Sequence, residues 1–149
     1  MHIKTYDFSG IHLGIESEEP LTDNAELRKF SYNGTPDYTI SLHFTDTVPD
    51  TSDCADFFVK TAILEANTPQ RPFSCTEFYA DHCKMQVLDR YAADFTVDSV
   101  LRHLPLSHML LKFDAFVLHG AHIVVDGEAI VFSAPSGTGK STQAELWRR

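Results

Sequence analysis

Lys140 and Ser141 stand at the end of a run of small residues, Ala134-Pro135-Ser136-Gly137-Thr138-Gly139. The spacing is that of a phosphate-binding P-loop, with Ala134 where the strict pattern has glycine. Each residue type answers a need of phosphate chemistry. Gly137 and Gly139 accept backbone angles closed to other residues and let the main chain touch a ligand. Converging N–H groups then meet phosphate oxygens at a helix N-terminus, whose partial positive charge favours anions. Lys140 reaches the β- and γ-phosphates, and the Ser141 hydroxyl is a ligand for Mg²⁺. Thr142 falls in the first helical turn and need not touch the nucleotide. The plainer account of the same residues is a glycine-rich turn between a strand and a helix.

Two elements must hold this loop. Ile130-Val131-Phe132-Ser133 before it reads as an apolar strand, and Gln143-Ala144-Glu145-Leu146-Trp147 after it are helix formers. Upstream, Asp126-Gly127 separates two β-rich runs. That is a strong hairpin signal, because both turn residues take positive φ. The expected pairing is antiparallel, 121–125 with 129–133, so the loop strand is the second arm of a hairpin. An ordinary doubly wound protein would instead feed it through a helical crossover in a parallel sheet. The run 129–133 is apolar on both faces, which predicts a central place in a complete sheet.

His119-Gly120, Asp126-Gly127, Ala129 to Ser133 and Ala134 to Ser141 occur in the order found in the HPr kinase/phosphorylase family, and the segment from His119 to about Trp147 resembles that family and its relatives with a phosphoenolpyruvate-carboxykinase-like core. The resemblance implies an ATP-dependent phosphotransferase acting on a protein or small-molecule hydroxyl. It carries Ala134, Pro135, Ser136, Gly137, Thr138, Gly139, Lys140, Ser141 and Thr142 over as nucleotide-binding residues. Ser141 carries over as the Mg²⁺ ligand, and His119 as a residue near the reacting groups and the catalytic candidate. Two departures stand out. Ala134-Pro135 stiffens the start of the loop, and the acidic pair of the next strand would lie beyond Arg149. The second reading, from another class, is a non-catalytic nucleotide- or phosphate-binding module, a truncated paralogue. Either way the expectation is that this chain binds nucleotide without turning it over. Asp114, Asp126 and Glu128 are the other in-chain candidates for a metal-fixing carboxylate or a base that aligns the attacking hydroxyl. The last two fall at the hairpin tip, away from the loop, and Asp114 reads more simply as a helix end.

The rest of the chain is expected to be α/β in an α+β-like arrangement: a mixed sheet, β-rich at the N-terminus and incomplete at the C-terminus. Ile11 to Ile15 alternates as a strand, the one expected in residues 1–20, and Tyr38 to Phe44 alternates more strictly. Asp46 to Asp56 and Asn67 to Ser74 read as loops, the latter for its two prolines. Phe57 to Leu64 reads as strand or short helix, and Glu77 to Ala80, Met85 to Leu88 and Tyr91 to Phe95 as short strands. Thr96 or Asp98 is suited to cap a helix carrying Val97, Val100, Leu101 and Leu104, which Pro105 interrupts before Leu106, Met109, Leu110 and Phe113 continue the stripe. The expected division is a β-rich accessory region, 1–95, and the start of a P-loop domain, 96–149.

Composition narrows the function classes. A net charge of -9 argues against a general nucleic-acid surface and makes the loop an isolated positive spot. Cys54, Cys75 and Cys83 contain no Cys-x-x-Cys pair and fit reduced thiols in the cytoplasm. The N-terminus has no apolar signal region, and no apolar run is long enough to span a bilayer. His119 and His122 are three apart, so on a strand they point to opposite faces and cannot share a metal. The expected partners are a nucleotide with Mg²⁺ and an unknown phosphoacceptor. An uncovered strand edge adds the expectation of self-association as a homo-oligomer.

Overall fold

The computed structural model describes residues 1–47, 49–52, 60–65 and 68–147. The chain divides into two compact units, Met1–Met109 and Leu110–Arg149. The first unit is built on a mixed six-stranded sheet in the order β1-β2-β3-β6-β5-β4. Its strands are β1 (His2–Phe8), β2 (Ile11–Ser17), β3 (Tyr38–Thr45), β4 (Lys60–Glu65), β5 (Thr68–Phe78) and β6 (His82–Leu88). The central pairings β2–β3 and β3–β6 are parallel, and the outer ones are antiparallel. Strict alternation puts Tyr38, Ile40 and Leu42 of β3 beside Cys83, Met85 and Val87 of β6, all buried, while His43, Lys84 and Gln86 are exposed. Val97 and Val100 of helix α2 (Val97–His103) complete this core. Thr96 caps α2: its hydroxyl accepts from the Ser99 N–H at 3.2 Å and the Ser99 hydroxyl accepts from the Thr96 N–H at 3.2 Å.

Several elements differ from what the residues alone suggest. Residues 1–20 hold two strands, β1 and β2, joined by Ser9 and Gly10 at φ 58° and 87°; the Ser-Gly pair was the missed turn signal. Residues 68–74, expected as loop, begin β5. Pro72 stands opposite Leu64, where the β4–β5 register shifts, and β5 pairs with β6 only from Ser74 onward. The proline therefore occupies an irregular position with a partner on one side, where its missing N–H is tolerated. Tyr91 to Phe95, expected as a strand, is occupied mainly by a 3₁₀ turn, Asp89–Asp94, whose Tyr91 ring meets Phe73 edge-on at 4.6 Å. His103 sits against Phe73 at 4.8 Å and Phe95 at 5.8 Å and is half-buried. The expected loop 46–56 and the start of the run 57–64 lie partly outside the described residues, as does Cys54. A short helix, α1 (Ala25–Arg28), precedes β3.

The division into compact units falls after Met109. Val97, Val100 and Met109 have no solvent exposure, so residues 96–109 belong with the first unit by burial. Helix α3 (Leu106–Leu111) runs across the division. It ends in two bonds, Asp114 N–H to the Leu111 carbonyl at 3.3 Å and Ala115 N–H to the Leu110 carbonyl at 3.0 Å, with Asp114 at φ 50°. That is a Schellman closure, so Asp114 terminates a helix. The second unit then contains the antiparallel pair β7 (Ala121–Val125) and β8 (Glu128–Phe132), and helix α4 (Lys140–Trp147). Asp126 and Gly127 turn the chain at φ 52° and 83°. The pairing is 121–125 with 128–132, so the second arm starts and ends one residue earlier than expected. Among the described residues no helix is long and apolar enough to cross a membrane.

Candidate functional site

Residues 133–139 join the end of β8 to the start of α4 without regular structure. Gly137 and Gly139 lie at φ 81° and 87°, angles that a side chain resists, and nothing lies within 4 Å of where a Cβ would stand on either. The loop is tied across itself. The Thr138 hydroxyl donates to the Pro135 carbonyl at 2.8 Å. The Lys140 ammonium donates to the Ala134 carbonyl at 2.7 Å and the Pro135 carbonyl at 3.1 Å. An ammonium has three donors, so one remains for a ligand.

The first helical bond of α4 is Gln143 N–H to the Gly139 carbonyl at 2.9 Å. The N–H groups of the turn before it have no intrahelical acceptor and carry the positive end of the helix. An open concavity of about 420 Å³ faces this junction, lined by Phe132, Ser133, Thr138, Gly139, Lys140 and Gln143 among others. None of its lining residues is a carboxylate, so cation and N–H donors set its electrostatic character. Gln143 was missed from the sequence; its signal is its place one turn after Gly139.

His119 precedes β7, and its carbonyl accepts from the Ser133 hydroxyl at 3.2 Å. The main chain at His119 is thereby held beside the start of the loop. His122, inside β7, borders a different concavity with Trp147. Val125 pairs with Glu128 at the far tip of the hairpin. At about 3.3 Å per residue, Asp126 and Glu128 are more than ~10 Å from Ser133. Ser141 is exposed in the first turn of α4. Among the described residues no group of three or more His, Cys, Asp or Glu could hold a metal ion.

Comparison with protein-family models, curated proteins and solved structures finds no match to this chain.

What the loop can do chemically follows from its donors. An oxyanion at the mouth would meet the remaining Lys140 donor and the N–H groups that open α4. Apolar β7 and β8 supply no competing charge there, since their acidic residue Glu128 is at the other end.

Proposed function

We propose that residues 134–142 form a P-loop that holds the phosphates of ATP with Mg²⁺, and that the chain is the nucleotide-binding portion of a phosphotransferase similar to HPr kinase/phosphorylase. The observation that carries this reading is Lys140: its ammonium is drawn over the loop by the Ala134 and Pro135 carbonyls, beside the free end of α4. β8 is then the loop strand, entered from a tight hairpin. The residues present fit Mg²⁺ in a limited way. Ser141 would supply one oxygen, and phosphate oxygens and water would supply the others, as this ion tolerates well. Bound there, Mg²⁺ would neutralise phosphate charge. The His119 main chain is held beside the start of the loop by Ser133, and His119 is the catalytic candidate.

Titration calorimetry with Mg·ATP tests the reading. Lys140→Ala removes the mobile cation and should weaken binding at least about tenfold, or ~1.4 kcal/mol. Equal affinities for the two proteins would overturn it. The concavity lacks a carboxylate to fix the metal or align an acceptor. Phosphate release from Mg·ATP by this chain should therefore stay at the level of the Lys140→Ala blank, far below the roughly 1–100 s⁻¹ of kinases.

A further inference from the structure

The sheet of the second unit has two strands, so each has an outer edge. The turn decides which main-chain groups face outward. Asp126-Gly127 is a two-residue turn, and the pair it closes, Val125 with Glu128, is hydrogen-bonded. Bonded and non-bonded pairs alternate along antiparallel strands. Ile123 with Ile130 and Ala121 with Phe132 are therefore bonded too, and the N–H and C=O groups of His122 and Val124 point away from β8. Among the described residues no other main-chain group bonds them. A cleft of about 320 Å³ follows this edge, lined by the four consecutive residues His122 to Val125 and by Trp147 at the end of α4. Successive side chains of a strand point to opposite faces, so a cleft that meets four in a row runs along the edge.

In the first unit the outer edge of β1 is covered: Asp7 N–H donates to the Phe30 carbonyl at 2.7 Å and Tyr32 N–H to the Thr5 carbonyl at 2.8 Å. β7 has no such cover among the described residues, and no proline, lysine or register shift that would blunt its edge. The side chains beside it are apolar and open, Val124 at 66% and Trp147 at 57% exposure. The edge is also complementary to itself. With a two-fold axis at Ile123, His122 of one copy stands opposite Val124 of the other, and each such pair exchanges two main-chain bonds. Charge selects this direction. The hairpin tip carries Asp126 and Glu128, whereas the approach to β7, Phe116 to Gly120, carries His119 and no carboxylate. Antiparallel pairing sets each acidic tip beside the His119 end of the other copy, and parallel pairing would set the two acidic tips together. The outer edge of β8 is placed differently, since Val131 and Phe132 line the concavity at the phosphate loop and a strand added there would crowd it.

We infer that the edge of β7 pairs with the same edge of a second copy of this chain, antiparallel about Ile123, to form a four-stranded sheet in the order β8-β7-β7-β8. The inference stands apart from the nucleotide reading, because it uses no residue of the loop 134–142 and its test contains no nucleotide. Sedimentation equilibrium of the full chain should show a mass that rises with concentration from one chain toward two. Val124→Pro deletes an outward N–H that the hairpin does not use and should weaken association at least about tenfold. Ala129→Pro deletes the equivalent N–H on the outer edge of β8 and should leave association unchanged. The Ile123 and Ile130 amides, bonded within the hairpin, should stay protected from exchange in both variants. Exchange in the parent chain decides independently of any variant: the His122 and Val124 amides should slow as concentration rises, and those of Ala129 and Val131 should not. A mass of one chain up to about 1 mM protein would leave the edge to a different partner and overturn the assignment. Exchange at His122 and Val124 that ignores concentration, association retained in Val124→Pro, or equal loss in Ala129→Pro would each overturn it as well.

Discussion

In residues 1–109, Ile40, Met85, Val87, Val97, Val100 and Met109 have no solvent exposure, whereas among the described residues of 110–147 the one buried side chain is Ile123. The two units are therefore stabilised in different ways. The first is a sheet with a covering helix, and each strand depends on partners far away in sequence. The second is a hairpin, a tied loop and a helix, each specified by neighbours a few residues apart. Val124, Val125, Ile130 and Val131 keep between 40% and 66% of their surface exposed, so apolar burial contributes little to it. The proposed phosphate chemistry thus rests on local backbone geometry, and the stability of the chain rests elsewhere. A loop that works through N–H direction and one lysine needs fixed φ angles more than it needs a core.

The largest expected effect separates the two by cavity formation. Met85→Ala in the sheet should cost about 2–5 kcal/mol in urea unfolding, whereas Ile130→Ala, already 40% exposed, should cost less than about 1 kcal/mol. Equal costs would break the comparison. A smaller effect is electrostatic. Burial pushes the Asp23 carboxyl up, but hydrogen bonds from Lys4 and Tyr6 and the charges of Lys4 and Arg28 outweigh it and hold the group below the usual carboxylate range. A lowered native pKa stabilises the fold above the unfolded value, near ~3.9, and this contribution is lost as pH falls through the native value. Asp23→Asn should cost about 1–2 kcal/mol at pH 7, and the gap from the parent chain should close in acid. A gap independent of pH would sink this account. The most localised expected effect is confined to the hairpin. Gly127→Val places a β-branched residue at φ 83° and should cost on the order of 1–3 kcal/mol locally. Amide exchange in 121–132 should rise while exchange in β3 and β6 stays unchanged; a matching rise in the sheet would show that the units are not separable.

The division between what the residues announce and what they conceal follows the same contrast. The Asp126-Gly127 turn, the Thr96 cap and the alternation of Tyr38 to Phe44 are local signals, and each corresponds to an element of the structure. β5 was concealed because Pro72 argues against a strand unless the partner's register shift is known. The 3₁₀ turn at 89–94 was concealed because a short apolar run has no period of its own. The contacts of Asp23 with Lys4, Tyr6 and Arg28 follow no spacing rule, because they join β1 to the residues just before and within α1. For the loop 134–142, the residue pattern located the turn, the glycines and the helix start, and the structure added the lysine tether and Gln143.

The parallel pairing at the centre of the sheet has a further consequence, in time rather than in energy. β3 joins residue 39 to residue 82 and residue 45 to residue 88, across the whole β4–β5 hairpin. Such contacts must close a long loop before any pairing energy is returned. Sheets dominated by them form in milliseconds to seconds, whereas a hairpin such as 121–132 closes in about 1–10 μs. After dilution from denaturant, the loop-bearing hairpin would reach its shape early. The central pair β3–β6 would set the pace for everything before it.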